Sequence, residues 1–336
     1  MSDTVTLTLE EADDLVMQAL TASGTSNHNA RKLADGIMGA ELDGIPSHGL
    51  MYVPIYCEHA KCGKIDGQAE PTVEQISPSA FLADAKSGFA HPAIDLGFSK
   101  IVPAAQELGI AALAVRNSYN CGVLGFHVSR LAEQGLIGIG FTNAPASIAP
   151  VGGTRPVVGT NPFAFAVPDD DGGIALIIDQ SSSVVAKSEL SKRANAGSTI
   201  PEGWALDPDG QPTTDPKVGL TGTMVPSGGY KGVGIAMLVE ILAAALSGAT
   251  LGIHASSFAT NDGGPPNTGQ FFIALNPGSF SGDGFHQRIG DLLNAIREQD
   301  GARLPGARRL AARKNVPARG VTAPVALYER IKGYCA

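Results

Sequence analysis

From about Ala80 onward the chain alternates short β-prone runs with glycine-rich turns and helical segments, and this texture restricts the fold more than any other feature. Ile110 to Arg116, Leu136 to Thr142, Pro162 to Val167, Gly173 to Asp179 and Phe271 to Leu275 read as strands. Phe126 to Gln134 reads as a helix ended by Gly135, Gly234 to Leu246 as a buried helix, and His286 to Arg297 as an amphipathic one. Residues 194–215 are rich in Gly, Pro, Asp and Thr and are expected to form a long loop. No G-x-G-x-x-G run follows a strand, opens a helix and precedes an acidic residue about 20 positions on. The glycines of Gly228-Gly229-Tyr230-Lys231-Gly232 lack that spacing and also that of a P-loop. An ordinary doubly wound dinucleotide site is therefore not expected, and any nucleotide is expected to be held in another way.

The first 75 residues have a different pattern. Thr8 and Glu11 have capping-box spacing, and Leu9, Ala12, Leu15, Val16 and Leu20 recur at helical intervals until Gly24. A second helix is expected from Thr25 or Ser26, with Ala30, Leu33, Ile37 and Ala40 on one face, stopping at Asp43-Gly44. Ile45-Pro46-Ser47-His48-Gly49 then reads as a polar turn entering a short helix.

A chain of 336 residues exceeds one ordinary core, so two or three sub-domains are expected. Charged residues make up 17%, low enough to suggest surface hidden between subunits; a large monomer with a small polar rim is the alternative. The net charge of −8 and the scattered basic residues exclude a broad nucleic-acid-binding face. One local cluster, Arg303, Arg308, Arg309, Arg313 and Lys314, suits a small phosphorylated ligand instead. Cys57, Cys62, Cys121 and Cys335 form no CxxC pair, so free thiols without a metal are expected, in a cytoplasmic setting. The acidic N-terminus has no apolar h-region, and the apolar stretch Gly232 to Leu246 is interrupted by Glu240 and too short to span a bilayer.

Four segments carry residues suited to chemistry. Ser47-His48 pairs a hydroxyl with the side chain best suited to proton transfer near neutral pH, although a serine cap beside a first-turn histidine has the same sequence. Asp179-Gln180-Ser181-Ser182-Ser183 follows a strand, with Lys187, Ser188 and Glu189 downstream. Gly159-Thr160-Asn161-Pro162 is a tight polar turn. Arg303-Leu304-Pro305-Gly306-Ala307-Arg308-Arg309 places three guanidiniums around a turn, which suits either a phosphate clamp or a solvated surface.

The order of these segments is more specific than any one of them. Together with Gly135-Leu136-Ile137-Gly138, Pro201-Glu202-Gly203-Trp204-Ala205-Leu206-Asp207 and Gly210-Gln211-Pro212-Thr213-Thr214-Asp215-Pro216, the chain resembles the type-2 malate/L-lactate dehydrogenase family from about residue 8 to 325. That family includes the Δ1-piperideine-2-carboxylate/Δ1-pyrroline-2-carboxylate (ketimine) reductases. The resemblance implies an α/β (α+β) fold with a largely antiparallel sheet in a non-Rossmann nucleotide-binding domain. The expected division is a helical domain from residues 1–75 and 286–336 and a nucleotide- and substrate-binding domain from 76–285. It further implies a homodimer, NADP as cofactor with NAD as the alternative, and a small 2-imino or 2-oxo acid as substrate, with no nucleic-acid or membrane partner.

By the same resemblance His48 donates a proton, Ser47 belongs to its relay, and Thr160 contacts substrate. The cofactor is expected along Asn120, Cys121, Gly122, Val123 and Leu124; along Ile178, Asp179 and Gln180; at Tyr230 and Lys231; and along Arg303, Leu304, Pro305, Gly306, Ala307, Arg308 and Arg309. Three positions depart from the family pattern. Tyr52 stands where an arginine usually binds the substrate carboxylate, which makes Lys187, beside Ser188, the expected substitute clamp. Asn120 stands where a histidine is common. Glu189 occupies a position that is acidic in the ketimine reductases, where it completes the relay, and lysine in the malate and lactate types. A helix-start carboxylate is the plain alternative for Glu189. The expected activity is reduction of a 2-imino acid; a 2-hydroxy acid dehydrogenase and a non-catalytic metabolite-binding family member are the alternatives.

Overall fold

The computed structural model describes residues 3–336, and a seven-stranded sheet dominates it. In spatial order its strands are Thr72–Ser77, Ala80–Asp84, Ile110–Ser118, Thr268–Leu275, Ile137–Thr142, Phe163–Pro168 and Ile174–Gln180. All neighbours are antiparallel except Ala80–Asp84 with Ile110–Ser118. A parallel pair needs a crossover, and the 19-residue helix Ala90–Leu108 supplies it. The sheet thus has the mostly antiparallel, non-Rossmann character expected.

Period-two alternation sorts side chains to the two faces. In Thr268–Leu275, Phe272 and Ala274 pack under the helices Ala90–Leu108 and Leu124–Ala132, while Phe271 and Ile273 pack with Phe141, Val239 and Ala243 on the other side. Glycine permits the first helix layer to close down. A Cβ on Gly138 would lie 2.8 Å from the Val128 carbonyl, and one on Gly140 would lie 2.9 Å from the Val128 side chain.

A second core joins the two chain ends. Thr8 caps Leu9–Ala22 in a reciprocal box with Glu11, and Ser26 caps Asn27–Leu42. These helices, together with Val53–Lys61 and Val325–Lys332, enclose Leu20, Leu33, Ile37, Tyr56 and Ile331. Strand Thr4–Leu7 pairs antiparallel with Val321–Pro324 and ties the ends together. A third, smaller core contains Ile148, Leu190, Ile200 and Met224.

Three elements differ from the sequence expectation. The supposed buried helix Gly234 to Leu246 is a helix, Tyr230–Glu240, running into a π-helical turn, Ile241–Leu246. Only one side of it is buried: Met237, Ile241 and Leu246 are each more than half exposed, because apolar residues occur all round it and the sheet covers one side. Residues 194–215 contain two short strands, Ala205–Leu206 and Pro212–Thr213, which form a three-stranded sheet with Thr223–Met224. The arginine-rich turn at 303–306 opens a further helix, Ala307–Arg319.

Candidate active site

Pro46 starts the one-turn 3-10 helix Pro46–His48, followed by a second, Leu50–Tyr52. The paired turns leave His48 half-buried, with Ser47 Oγ 3.1 Å from His48 Nδ1. The Tyr52 ring lies parallel to the imidazole, tilted 4° with centroids 6.2 Å apart. Glu41 holds this corner from behind, accepting the Leu50 N–H at 2.7 Å. Burial lowers the His48 pKa, Asp179 pulls it back up, and Arg309 pushes it down again. The imidazole is therefore neutral at pH 7 in the ligand-free chain, within the field of one carboxylate and one guanidinium.

Those two charges belong to a buried network that closes the helical core onto the sheet. Arg309 Nη2 donates to Asp179 Oδ2 at 3.1 Å, and its Nε lies 3.5 Å from Asp43 Oδ2. Arg313 Nε donates to Asp43 Oδ1 at 2.5 Å. Asp43 is only 4% exposed, so both guanidiniums are needed to compensate its charge. Asp179 Oδ2 also accepts the Gly125 N–H at 2.9 Å, at the first turn of Leu124–Ala132. A buried nitrogen, Arg309 Nη1, has no partner. A Cβ on Gly125 would fall 1.9 Å from it, so only glycine lets this guanidinium pack against the start of the helix. This is a fitting place for an anionic cofactor group.

Next to it, Asn120 to Leu124 forms a tight loop. Gly122, at φ 68°, donates its N–H to Asn120 Oδ1 at 2.6 Å. Below the loop lie two buried histidines, His91 and His127, with ring centroids 5.2 Å apart. His127 Nε2 donates to the Cys121 carbonyl at 2.8 Å. Burial, with Arg130 nearby, lowers the His91 pKa to about 3 from its ordinary 6.5, and His127 is also shifted down by burial. The folded state thus binds fewer protons than the unfolded one. The stabilising contribution is complete above about pH 6.5 and is lost as pH falls from there towards 3. His91 alone contributes a slope of about 1.4 kcal/mol per pH unit in that window. His91→Gln is expected to flatten the pH dependence of urea unfolding between pH 6 and 4; an unchanged slope would exclude this histidine as its source.

The structure therefore brings Ser47, His48, Tyr52, Asn120, Gly122, Asp179 and Arg309 into one neighbourhood. Cys121, Val123 and Leu124 are buried under the loop, and Ile178 and Gln180 flank Asp179 on its strand. Leu304, Gly306 and Ala307 lie half-buried at the start of Ala307–Arg319, while Arg303, Pro305 and Arg308 are exposed. Other expected site residues stand apart within one chain. Glu189 lies on the helix Lys187–Asn195, where its carboxylate meets Arg193 Nε at 3.1 Å and Lys192 Nζ at 3.7 Å. No hydrogen bond or ion pair joins it to Ser47 or His48 among the described residues; the carboxylate acting on His48 is Asp179. Lys187 and Ser188 are exposed on the same helix, though the protein crowded around the Lys187 ammonium lowers its pKa. Tyr230 and Lys231 are exposed at the start of their helix. Thr160 is half-buried and its carbonyl accepts the Ser182 N–H at 2.8 Å. Asn161 beside it is clamped by the buried Glu240 at 2.7 Å, which fixes the turn. Sequence reasoning missed Asp43, and placed Arg313 only in a basic cluster for a phosphorylated ligand rather than against this carboxylate. Asp43 reads as a helix stop, and nothing in the linear order links it to an arginine 270 positions away.

All four cysteines are free, and the described residues contain no group of three or more potential metal ligands. No helix among them is long and apolar enough to cross a membrane.

A hydrogen-bonded serine–histidine pair beside an arginine-edged, glycine-lined loop, on a sheet without the usual dinucleotide fingerprint, fits the class of non-Rossmann oxidoreductases. The profile of the family described as malate/L-lactate dehydrogenase matches residues 7–332, and the chain belongs to that family. It is 42% identical to a (2R)-3-sulfolactate dehydrogenase (NADP(+)) of Chromohalobacter salexigens, over 98% of this chain and 97% of that one. It is 37% identical to a Delta(1)-pyrroline-2-carboxylate reductase of Ancylobacter novellus, over 99% and 98%. Among solved structures it resembles the delta1-piperideine-2-carboxylate reductase of Pseudomonas syringae, with a TM-score of 0.92, 33% identity and coverage of 98% and 99%.

Proposed function

We propose that this chain is an NADP(H)-dependent reductase of a small cyclic 2-imino acid of the Δ1-pyrroline- or Δ1-piperideine-2-carboxylate type. The observation that carries this reading is the His48 imidazole, shifted towards its neutral form by burial and bonded to Ser47, with the uncharged Tyr52 ring parallel to it where the family resemblance leads one to expect an arginine. The nicotinamide supplies hydride when bound. The residues fit such a cofactor through the unpaired Arg309 Nη1 and the basic turn at 303–309.

The roles of the chain's own groups follow from charge. Hydride arriving at C2 places an electron pair on the atom double-bonded to it, and a proton at that atom neutralises it. An imine is readily protonated in water, so it can enter as an iminium cation and needs no further proton. A neutral His48 then avoids facing a cation with a cation. A 2-oxo acid instead requires His48 to be protonated first, with Asp179 favouring that state. Ser47 orients the ring through Nδ1 and leaves Nε2 for the reacting atom.

The expected result is oxidation of NADPH with Δ1-piperideine-2-carboxylate and a slower reaction with pyruvate or oxaloacetate, followed by absorbance. Because the His48 pKa lies below its ordinary value, kcat/KM for an oxo acid is expected to fall as pH rises through the range below 6.5. That for the imine should hold to higher pH. Turnover of oxo acids alone would defeat the imine reading. The sulfolactate dehydrogenase relative makes 3-sulfopyruvate the oxo acid to include, and its preference would favour the second reading.

We further propose that a second copy of this chain covers the apolar face formed by Met237, Ile241, Leu246 and Ile253, each 49–60% exposed. A low charge content and an uninterrupted apolar helix face support a homodimer. Light scattering should report twice the chain mass, and Ile241→Asp should reduce it to one; a monomeric unmodified chain would overturn the dimer.

A further inference from the structure

Glu240 interrupts an otherwise apolar helix, and its surroundings call for a carboxylate rather than an amide. It ends the helix Tyr230–Glu240, just before the π-helical turn, and is only 8% exposed. Three neutral donors converge on it. The Gly252 N–H lies 2.6 Å from Oε1, Asn143 Nδ2 lies 3.4 Å from the same oxygen, and Asn161 Nδ2 lies 2.7 Å from Oε2.

Backbone groups with only one possible role fix the direction of each bond. The Ala144 N–H can only donate and meets Asn161 Oδ1 at 3.1 Å. The Asn161 NH2 must therefore face Glu240 and the Ala236 carbonyl, the latter at 2.9 Å. The Gly269 N–H likewise occupies Asn143 Oδ1 at 2.8 Å, which leaves the Asn143 NH2 for the Thr250 carbonyl and Glu240. Both Glu240 oxygens accept, and a glutamine would turn its NH2 onto another donor. Any other arrangement of these neighbours leaves a buried donor unpaired, so the carboxylate holds them in one.

The segment held this way is the turn at 159–162. Asn161 is fully buried at φ 34°, in the left-handed region. Its carbonyl accepts Ser182 Oγ at 2.8 Å, and the Thr160 carbonyl accepts the Ser182 N–H at 2.8 Å. The turn leads into the strand Phe163–Pro168, where Ala164 pairs with Asp179. Thr160 is thereby tied to the sheet end that carries Asp179 and, through it, Arg309. Its backbone is pinned on both sides, yet its half-buried hydroxyl makes no hydrogen bond among the described residues.

We propose that Glu240 and Asn161 are positioning residues that hold the free Thr160 hydroxyl towards the substrate carboxylate. That hydroxyl can donate to a carboxylate oxygen, the group shared by the 2-imino and 2-oxo acids, and Tyr52 offers no charge there. The inference rests on the reading that the chain reduces such an acid, and not on which of the two it prefers.

The test is a double-mutant cycle with NADPH, run on whichever of Δ1-piperideine-2-carboxylate and 3-sulfopyruvate the unmodified protein turns over. Thr160→Val removes the hydroxyl and should raise KM about tenfold with kcat little changed, as loss of a uniform binding contact does. Glu240→Gln should raise KM by about the same factor, because the mismatched turn spends less time in the competent arrangement. In the Thr160→Val background, Glu240→Gln should add at most about twofold, since the group it positions is gone. Fluorescence titration with NADPH checks that each variant is folded. If Glu240→Gln does not fold, Asn161→Gly takes its place, because glycine keeps the left-handed backbone and removes only the clamp. Equal effects of the second substitution with and without the Thr160 hydroxyl, or a fall in kcat with KM unchanged, would reduce Glu240 to packing and overturn the inference. Turnover of the oxo acid alone would defeat the imine reading while the cycle still decides this one. Turnover of neither acid would defeat both.

Discussion

His48→Ala is expected to lower kcat for 2-oxo acid reduction by about 10²–10⁴-fold, the usual range for losing a positioned general acid. Nucleotide binding, followed by NADPH fluorescence, should change little, because the expected phosphate contacts lie at Arg309 and the rest of the 303–309 turn rather than at the imidazole. The size of the effect should depend on substrate. An iminium arrives with its proton, so the same variant should slow imine reduction less than oxo acid reduction. Ser47→Ala removes the bond at Nδ1 and should produce a smaller version of the same pattern, since the ring keeps its place against Tyr52. If His48→Ala turned over oxo acids at the unmodified rate, proton transfer would have to be assigned elsewhere.

The second large effect is on stability. Asp43→Ala removes the carboxylate between Arg309 and Arg313 and leaves two partly buried guanidiniums facing each other. Breaking a buried pair by deleting one partner costs about 3–5 kcal/mol. Urea unfolding should show a loss of that order. Nucleotide affinity should fall as well, because Arg309 loses the partner that fixes its Nε while Asp179 alone holds Nη2. Truncating an exposed ion pair, such as Arg31→Ala at the surface, should cost at most about 1 kcal/mol by comparison. Equal losses at the two sites would refute the assignment of Asp43 as the joint between the helical core and the sheet.

Much of the fold was legible. The capping box at Thr8 and Glu11 formed as its spacing required, four of the strands fall within two residues of their sequence positions, and the fifth, Thr268–Leu275, starts three residues early. Those elements are specified locally, by caps and by period-two alternation. The crossover helix Ala90–Leu108 was not legible, since Gly97 and Pro103 interrupt its pattern. Gly97 is needed there for contact with Leu113, because a Cβ would lie 2.2 Å from that side chain. The helix Tyr230–Glu240 was misread as buried because sequence hydrophobicity does not distinguish a core position from an exposed apolar face.

For the site, the chain alone determined the chemical types and their order: the Ser47-His48 pair, the polar turn at Thr160, the acidic strand end at Asp179 and the arginine turn. Adjacency along the chain was enough for the first, since Ser47 bonds its immediate neighbour. Tertiary structure alone decided which charges act together. Asp43, Asp179 and the arginine pair Arg309 and Arg313 come from three separate segments, and Tyr119 and His59 meet only once a helix docks beside a strand end. Coulomb and hydrogen-bond energies depend on distance through space and on local exclusion of water, and neither quantity is encoded at any single position.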